Sequence, residues 1–104
     1  MTWSIALRPE AQAEFDEAVD WYELKRPGLG LEFIAEIQST LDRIAIAPKR
    51  LPVVFEGARL ALVRRFPYQV LFQIEVDRVV VLAVFHHRRN PADWRNRTDR
   101  KSVV

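Results

Sequence analysis

Apolar positions follow a helical period in the first half of the chain and a strand period in the second. Trp3 to Leu7 is a short apolar run containing Ile5 and bounded by Arg8-Pro9, the right length for a strand. From Pro9 to about Lys25 the apolar residues are Ala11, Phe15, Ala18, Val19 and Tyr22, spacings that line one helical face. Pro9 suits a first helical turn because the N–H it lacks would find no partner there, and Glu10 complements the positive helix end. The opposite face carries Glu14, Glu17 and Asp20 and is expected to be solvated. Arg26-Pro27-Gly28-Leu29-Gly30 cannot continue this helix, since Pro27 disfavours helical geometry at Arg26 and the glycines supply turn conformations. Phe33, Ile34, Ile37, Leu41, Ile44 and Ala45 then repeat at helical spacing up to Pro48, which predicts a second amphipathic helix of about 17 residues. So short a connection makes the pair an antiparallel hairpin whose apolar faces need a further surface.

The second half supplies that surface. Arg59–Phe66, Tyr68–Glu75 and Val79–His86 are rich in Val, Leu, Phe and Ile, and the last two are separated only by Val76-Asp77-Arg78, so they read as an antiparallel meander. In the middle segment Val70, Phe72 and Ile74 share one face while Gln69, Gln73 and Glu75 alternate onto the other, which should be partly wet. Val79 to Phe85 is apolar on both faces and is expected to be the central, most protected strand, with the helices over one side. Beyond it, Asn90-Pro91 forces a turn before a short helical segment, and residues 98–104 are expected to fray. The expected architecture is α+β: an N-terminal strand, a two-helix antiparallel hairpin and a three-stranded antiparallel meander, forming one domain over residues 1–97.

Composition agrees with one packed domain: 104 residues, 49% hydrophobic, 29% charged, 3 Gly. There is no cysteine and only an adjacent pair of histidines, so a metal site or cofactor is not expected. No apolar run approaches the ~18 residues a membrane span needs, and no basic segment followed by an apolar stretch opens the chain. A cytoplasmic protein is the expectation. The net charge of +2 conceals an asymmetry. Residues 1–52 carry 6 Lys+Arg against 9 Asp+Glu, and residues 53–104 carry 10 against 5. The basic half suggests an anionic partner, either nucleic acid or an acidic protein segment.

Trp21-Tyr22-Glu23 on the first helix, Pro27-Gly28-Leu29-Gly30 leading into Phe33, and Pro48 after the second helix resemble the front half of a ParE-type toxin. The back half is similar too: Arg65-Phe66-Pro67-Tyr68 enters a strand, and Val81 to His86 runs into Arg88-Arg89-Asn90-Pro91 and Trp94. The resemblance covers about residues 3–97 and is to the RelE/ParE superfamily of bacterial type II toxins. It implies a growth inhibitor neutralised by a cognate antitoxin, in a possible toxin–antitoxin hetero-oligomer. ParE-like members are associated with DNA gyrase poisoning, and RelE-like members cut mRNA on the ribosome. In the RelE-like pattern Arg88 stands where a basic residue follows the last strand, and it could stabilise a phosphorane charge. Trp94 stands where a tyrosine is expected, and an indole has no titratable group for proton transfer. Tyr68 falls where that pattern has an arginine. The resemblance therefore implies a gyrase inhibitor, with a ribosome-dependent endoribonuclease and a non-toxic interaction module as alternatives.

His86, His87 and Arg88 are the candidate catalytic residues if the chain is a ribonuclease. His86 and His87 straddle a strand end and titrate near neutral pH unless perturbed, so the alternative to a proton-transfer role is an ordinary hydrogen-bonding pair. Arg64, Arg65, Tyr68, Arg88, Arg89, Trp94 and Trp21 are candidates for binding a target or antitoxin. Guanidinium forks match carboxylates and phosphates, although a solvated basic rim needs no partner. Trp21 lies off the main apolar stripe and large aromatics are enriched at interfaces. For Trp94, packing of the tail back onto the sheet is the expected role.

Overall fold

The computed structural model describes residues 2–98. Its elements run β1 (Ile5–Leu7), α1 (Pro9–Lys25), α2 (Leu29–Ile46), a 3-10 turn (Pro48–Arg50), β2 (Val53–Phe55), β3 (Ala58–Leu62), β4 (Tyr68–Ile74), β5 (Val79–His86) and a second 3-10 segment (Pro91–Arg97). The five strands form one sheet in the order β1-β5-β4-β3-β2, antiparallel throughout except that β1 runs parallel to β5. Strand, helical hairpin and meander are thus where hydrophobic periodicity placed them.

The hairpin turn is tighter than expected. α2 begins at Leu29, inside the segment read as a turn, because the Glu23 carboxylate reaches across and accepts the N–H groups of Gly28 at 3.0 Å and Gly30 at 2.9 Å. Those two donors belong to the otherwise unpaired first turn of α2. Gly28 sits at φ 90°, a left-handed conformation that side-chain-bearing residues adopt at a cost. Gly30 has a different reason to be glycine: a Cβ there would stand 3.0 Å from the Val19 carbonyl oxygen and 2.9 Å from Glu23 Oε1.

Two cores flank the sheet. On the helix side Ala11, Ala18, Tyr22, Phe33, Ile37 and Ile44 pack against Ala61, Val63, Phe66, Val70, Phe72, Val79, Val81 and Val84. Within it Tyr22 and Phe33 lie 5.1 Å apart between ring centroids, and each meets Phe66 edge-on. The other face was expected to be partly wet, and this is corrected. Phe55, Ala58, Leu71, Val80, Leu82, Ala83, Phe85 and Trp94 form a second buried cluster there, and Gln73 is buried as well. A bulge helps make it: Leu71 pairs with Ala83 but Phe72 with Val81, so Leu82 is skipped and both Leu82 and Ala83 serve the second face.

β5 is interior as expected, flanked by β1 and β4, although β4 holds the middle position. β2 was not anticipated, being 3 residues between Pro52 and the Glu56-Gly57 turn. The strand expected over Arg59–Phe66 stops at Leu62, since Arg65 takes φ 69° and starts a turn. Of the tail expected to fray, Thr98 is buried and hydrogen-bonded to the Arg95 carbonyl; residues 99–104 lie outside the described residues. Among the described residues no helix is long and apolar enough to cross a membrane.

Two measurements check the hairpin. Gly30→Ala is expected to lose about 1–3 kcal/mol in denaturant unfolding, because the added methyl presses on backbone. The two N–H bonds hold the Glu23 carboxyl below its ordinary value. Its contribution to stability is therefore complete above the usual carboxylate range and is lost as pH falls through the lowered folded value. Thermal melts should show Glu23→Gln less stable than the parent at neutral pH, with the gap closing in acid; a gap independent of pH would contradict the assignment.

Candidate functional site

β5 outruns its neighbour. β1 pairs only with Val79, Val80 and Val81, and the Arg8 N–H takes the Val81 carbonyl as the chain turns away into α1. From Leu82 to His86 that edge of β5 has no strand beside it. Backbone groups left there must still be satisfied, and two side chains do it. The Val84 N–H donates to Glu14 Oε1 at 3.0 Å, and Arg97 Nη1 donates to the Leu82 carbonyl at 2.9 Å.

The same two side chains join each other. Arg97 Nη1 and Glu14 Oε2 form an ion pair at 2.9 Å, with side chains 22% and 24% exposed, and the Trp94 indole N–H donates to Glu14 Oε2 at 3.3 Å. Glu14 is thus no part of a solvated face, contrary to expectation. Arg8 Nη2 adds a bond to the Arg97 carbonyl at 3.0 Å. The segment they anchor starts at Asn90, whose side chain accepts the Ala92 N–H while Asp93 accepts the Asn90 N–H. With the segment so held, Trp94 lies buried against Phe85 at 4.2 Å between ring centroids, covering the second core. Trp94 thus packs the tail back onto the sheet, its expected role, and is a core residue rather than one offered to a partner.

A groove of about 780 Å³ runs along this open edge. Glu14, Glu17, Trp21 and Tyr22 come to it from α1; Val84, Phe85 and His86 from β5; Tyr68 from β4; and Arg88, Arg89 and Trp94 from the tail. Six sequence candidates therefore meet in one place: Trp21, Tyr68, His86, Arg88, Arg89 and Trp94. Trp21 is 52% exposed, braced edge-on against Tyr22 and covered by the Lys25 ammonium at 4.5 Å. Tyr68 and His86 stand 5.4 Å apart, ring to ring. Burial, then the nearby Tyr22 and Glu17, push the Tyr68 hydroxyl above its ordinary range. Burial, then the neighbouring Arg88 and His87, hold His86 below the usual histidine value. His86 Nδ1 accepts the Arg88 N–H at 3.0 Å, which places the proton of the neutral ring on Nε2. Arg89 is paired with Asp93 at 3.2 Å and stacks over Trp94.

Arg64, Arg65 and His87 lie outside the groove. Arg65 spans the β3–β4 turn to α2, meeting Glu32 at 2.9 Å and Glu36 at 3.4 Å, contacts that hold the Glu32 carboxyl below its ordinary value. Its role is to brace a left-handed backbone position. Arg64 and His87 are exposed. Sequence reasoning missed Glu14, Glu17 and Tyr22 as groove residues. Glu14 and Glu17 follow the helical spacing that leads on to Trp21, and that was the available signal. Among the described residues no group of His, Asp and Glu side chains could hold a metal ion.

The family model described as the ParE toxin of the type II toxin–antitoxin system, parDE, matches residues 5–91. Among solved structures, the chromosomal ParDE system of P. aeruginosa is similar at 18% identity and a TM-score of 0.72, over 81% of this chain and 95% of that one. The RelBE2 toxin–antitoxin complex of Mycobacterium tuberculosis is similar at 21% identity and a TM-score of 0.56, over 83% and 99%. At such identities the likeness is one of fold. No curated protein matches the sequence.

Replacing Glu14 tests the edge. Glu14→Ala strands the Val84 N–H, the Trp94 indole and the Arg97 charge together, so a loss of about 1–3 kcal/mol is expected, with faster hydrogen exchange at the Trp94 indole. Glu14→Gln keeps an acceptor for Val84 but no charge for Arg97 and should fall between. Equal stability of all three proteins would refute the assignment.

Proposed function

This chain belongs to the ParE toxin family of type II toxin–antitoxin systems, and from that premise we propose that it arrests growth in the bacterial cytoplasm by binding DNA gyrase, performing no covalent chemistry itself. The observation that carries this reading is the make-up of the groove. Cutting RNA requires cations converging on a phosphate and a proton donor aimed at the leaving oxygen. Here one wall carries the carboxylates of Glu14 and Glu17, Arg89 and Arg97 are spent on Asp93 and Glu14, and Trp94 is buried with its N–H committed to Glu14. What remains beside His86 and Arg88 is shape and aromatic surface around Trp21 and Tyr68, which suits a protein target.

A cognate antitoxin is the second partner, supported by the ParDE and RelBE2 systems to which the fold is similar. The basic half offers Arg64, Arg65 and Arg88 to its acidic residues. Arg65 is already held by Glu32 and Glu36, which leaves Arg64 and Arg88 to meet them in a toxin–antitoxin hetero-oligomer.

The ribosome-dependent endoribonuclease is favoured by one observation, the contact of Tyr68 with His86 beside Arg88. Tightly controlled expression in bacteria separates the two readings: the gyrase reading expects DNA-damage signalling before any mRNA cleavage. Replacing His86 and His87 together by Gln should leave growth arrest largely intact, because Gln keeps hydrogen bonding but cannot titrate near neutrality. Loss of arrest in a variant that still folds and binds antitoxin would favour the ribonuclease.

A further inference from the structure

The strand directions sort the turns into two ends. β3 ends and β4 begins at the 63–67 turn, and β5 ends beside it at 87–89; the Glu56-Gly57 turn and the 75–78 turn lie at the other end. The His87 N–H donates to the Pro67 carbonyl at 2.9 Å, fastening the first two turns into one platform. The platform carries Arg64, Arg65, His87 and Arg88, whereas the far end carries Glu56, Glu75 and Asp77 with Arg78. The basic half of the sequence is therefore a basic end of the molecule.

Not all of those arginines are available. Arg65 is bound by Glu32 and Glu36 and fixes the left-handed turn. Arg64, His87 and Arg88 are exposed, and among the described residues the side chains of Arg64 and Arg88 have no ion pair or hydrogen bond. A rigid turn thus projects two unpaired guanidinium groups from adjoining loops, and the energy of ordering the loops is already met by Arg65 and by the His87–Pro67 bond.

We propose that this platform contacts the phosphate backbone of duplex DNA. Guanidinium groups on protruding turns fit the outside of a stiff, regularly charged duplex, which touches tips without entering the groove. A single strand following the surface inward would meet Glu14 and Glu17 on the α1 wall. The inference deepens the gyrase reading by adding DNA as a directly touched component, and rests on that reading for its setting alone.

The test is fluorescence polarisation of a labelled duplex oligonucleotide with the full chain, without gyrase, over about 50–200 mM salt. Binding is expected to be weak, independent of sequence and steeply salt-dependent. Each phosphate contact contributes about 0.9 to the log–log slope, so Arg64→Gln with Arg88→Gln should shallow it by about 2. Arg64→Lys with Arg88→Lys should retain most of it. Arg78→Gln removes one charge at the far end and should leave the slope unchanged. Circular dichroism confirms folding, since both arginines are exposed. Absence of binding at the lowest salt, or equal slopes for the Gln pair and the parent, overturns the proposal. So does tighter binding of a single-stranded RNA that is then cut. With no gyrase present, failure here leaves the gyrase reading standing, and failure of gyrase inhibition leaves this binding standing.

Discussion

The carboxylate of Glu14 joins α1, the open edge of β5 and the tail at a single point. β1 is 3 residues long and leaves the last part of β5 without a strand neighbour on that edge, β4 pairing the other. An open interior strand is both a source of unsatisfied backbone groups and a template for unwanted pairing. Glu14 on α1 answers by accepting the Val84 N–H, and Arg97 from the tail accepts the complementary task at Leu82 O by donating to it. Because the two side chains are also an ion pair, and because Trp94 donates to the same carboxylate, helix, strand edge and tail are fixed by one group. The second core then follows: without the tail in place nothing would press Trp94 onto Phe85.

The groove inherits its shape from this constraint. Filling the missing strand's place with side chains leaves a groove rather than a continued sheet, and the helix that supplies Glu14 also supplies Glu17, Trp21 and Tyr22 to its wall. Charge is arranged on two scales. Beside the groove, Arg97 pairs with Glu14 and Arg89 with Asp93, and these pairs tie the tail down. At the end of the sheet, Arg65 uses both of its anionic partners for bracing, so that Arg64 and Arg88 stay unpaired. Structural arginines and available arginines are thus interleaved within a few residues, and only the partners tell them apart.

That interleaving explains what could be read in advance. The hairpin and the last two strands were legible because Phe33, Ile37 and Ile44, or Val70 and Phe72, repeat with the period of their element. The superfamily was legible from motifs spread along the chain, and the ParE toxin family model matches residues 5–91. β2 was not, because 3 residues carry too little periodicity. Gln73 read as wet because nothing local reveals that this face of the sheet carries a second core. Glu14 read as solvated because its partners lie about 70 and 80 positions further on, at Val84 and Trp94. Of the site, the aromatic and basic members Trp21, Tyr68, His86 and Arg88 were named from the sequence, whereas the acidic wall was not. An isolated Arg or Glu says nothing of its partner, and pairing across the fold decides which charges remain for function.

We propose that this toxin acts by binding and does no chemistry of its own. The most direct measurement incubates the purified protein with purified gyrase and supercoiled plasmid, and in parallel with translating ribosomes and mRNA. Accumulation of gyrase-linked DNA breaks or loss of supercoiling activity, with intact mRNA, is the result expected. Cut mRNA with gyrase unaffected would contradict the account and make the Tyr68–His86–Arg88 cluster catalytic.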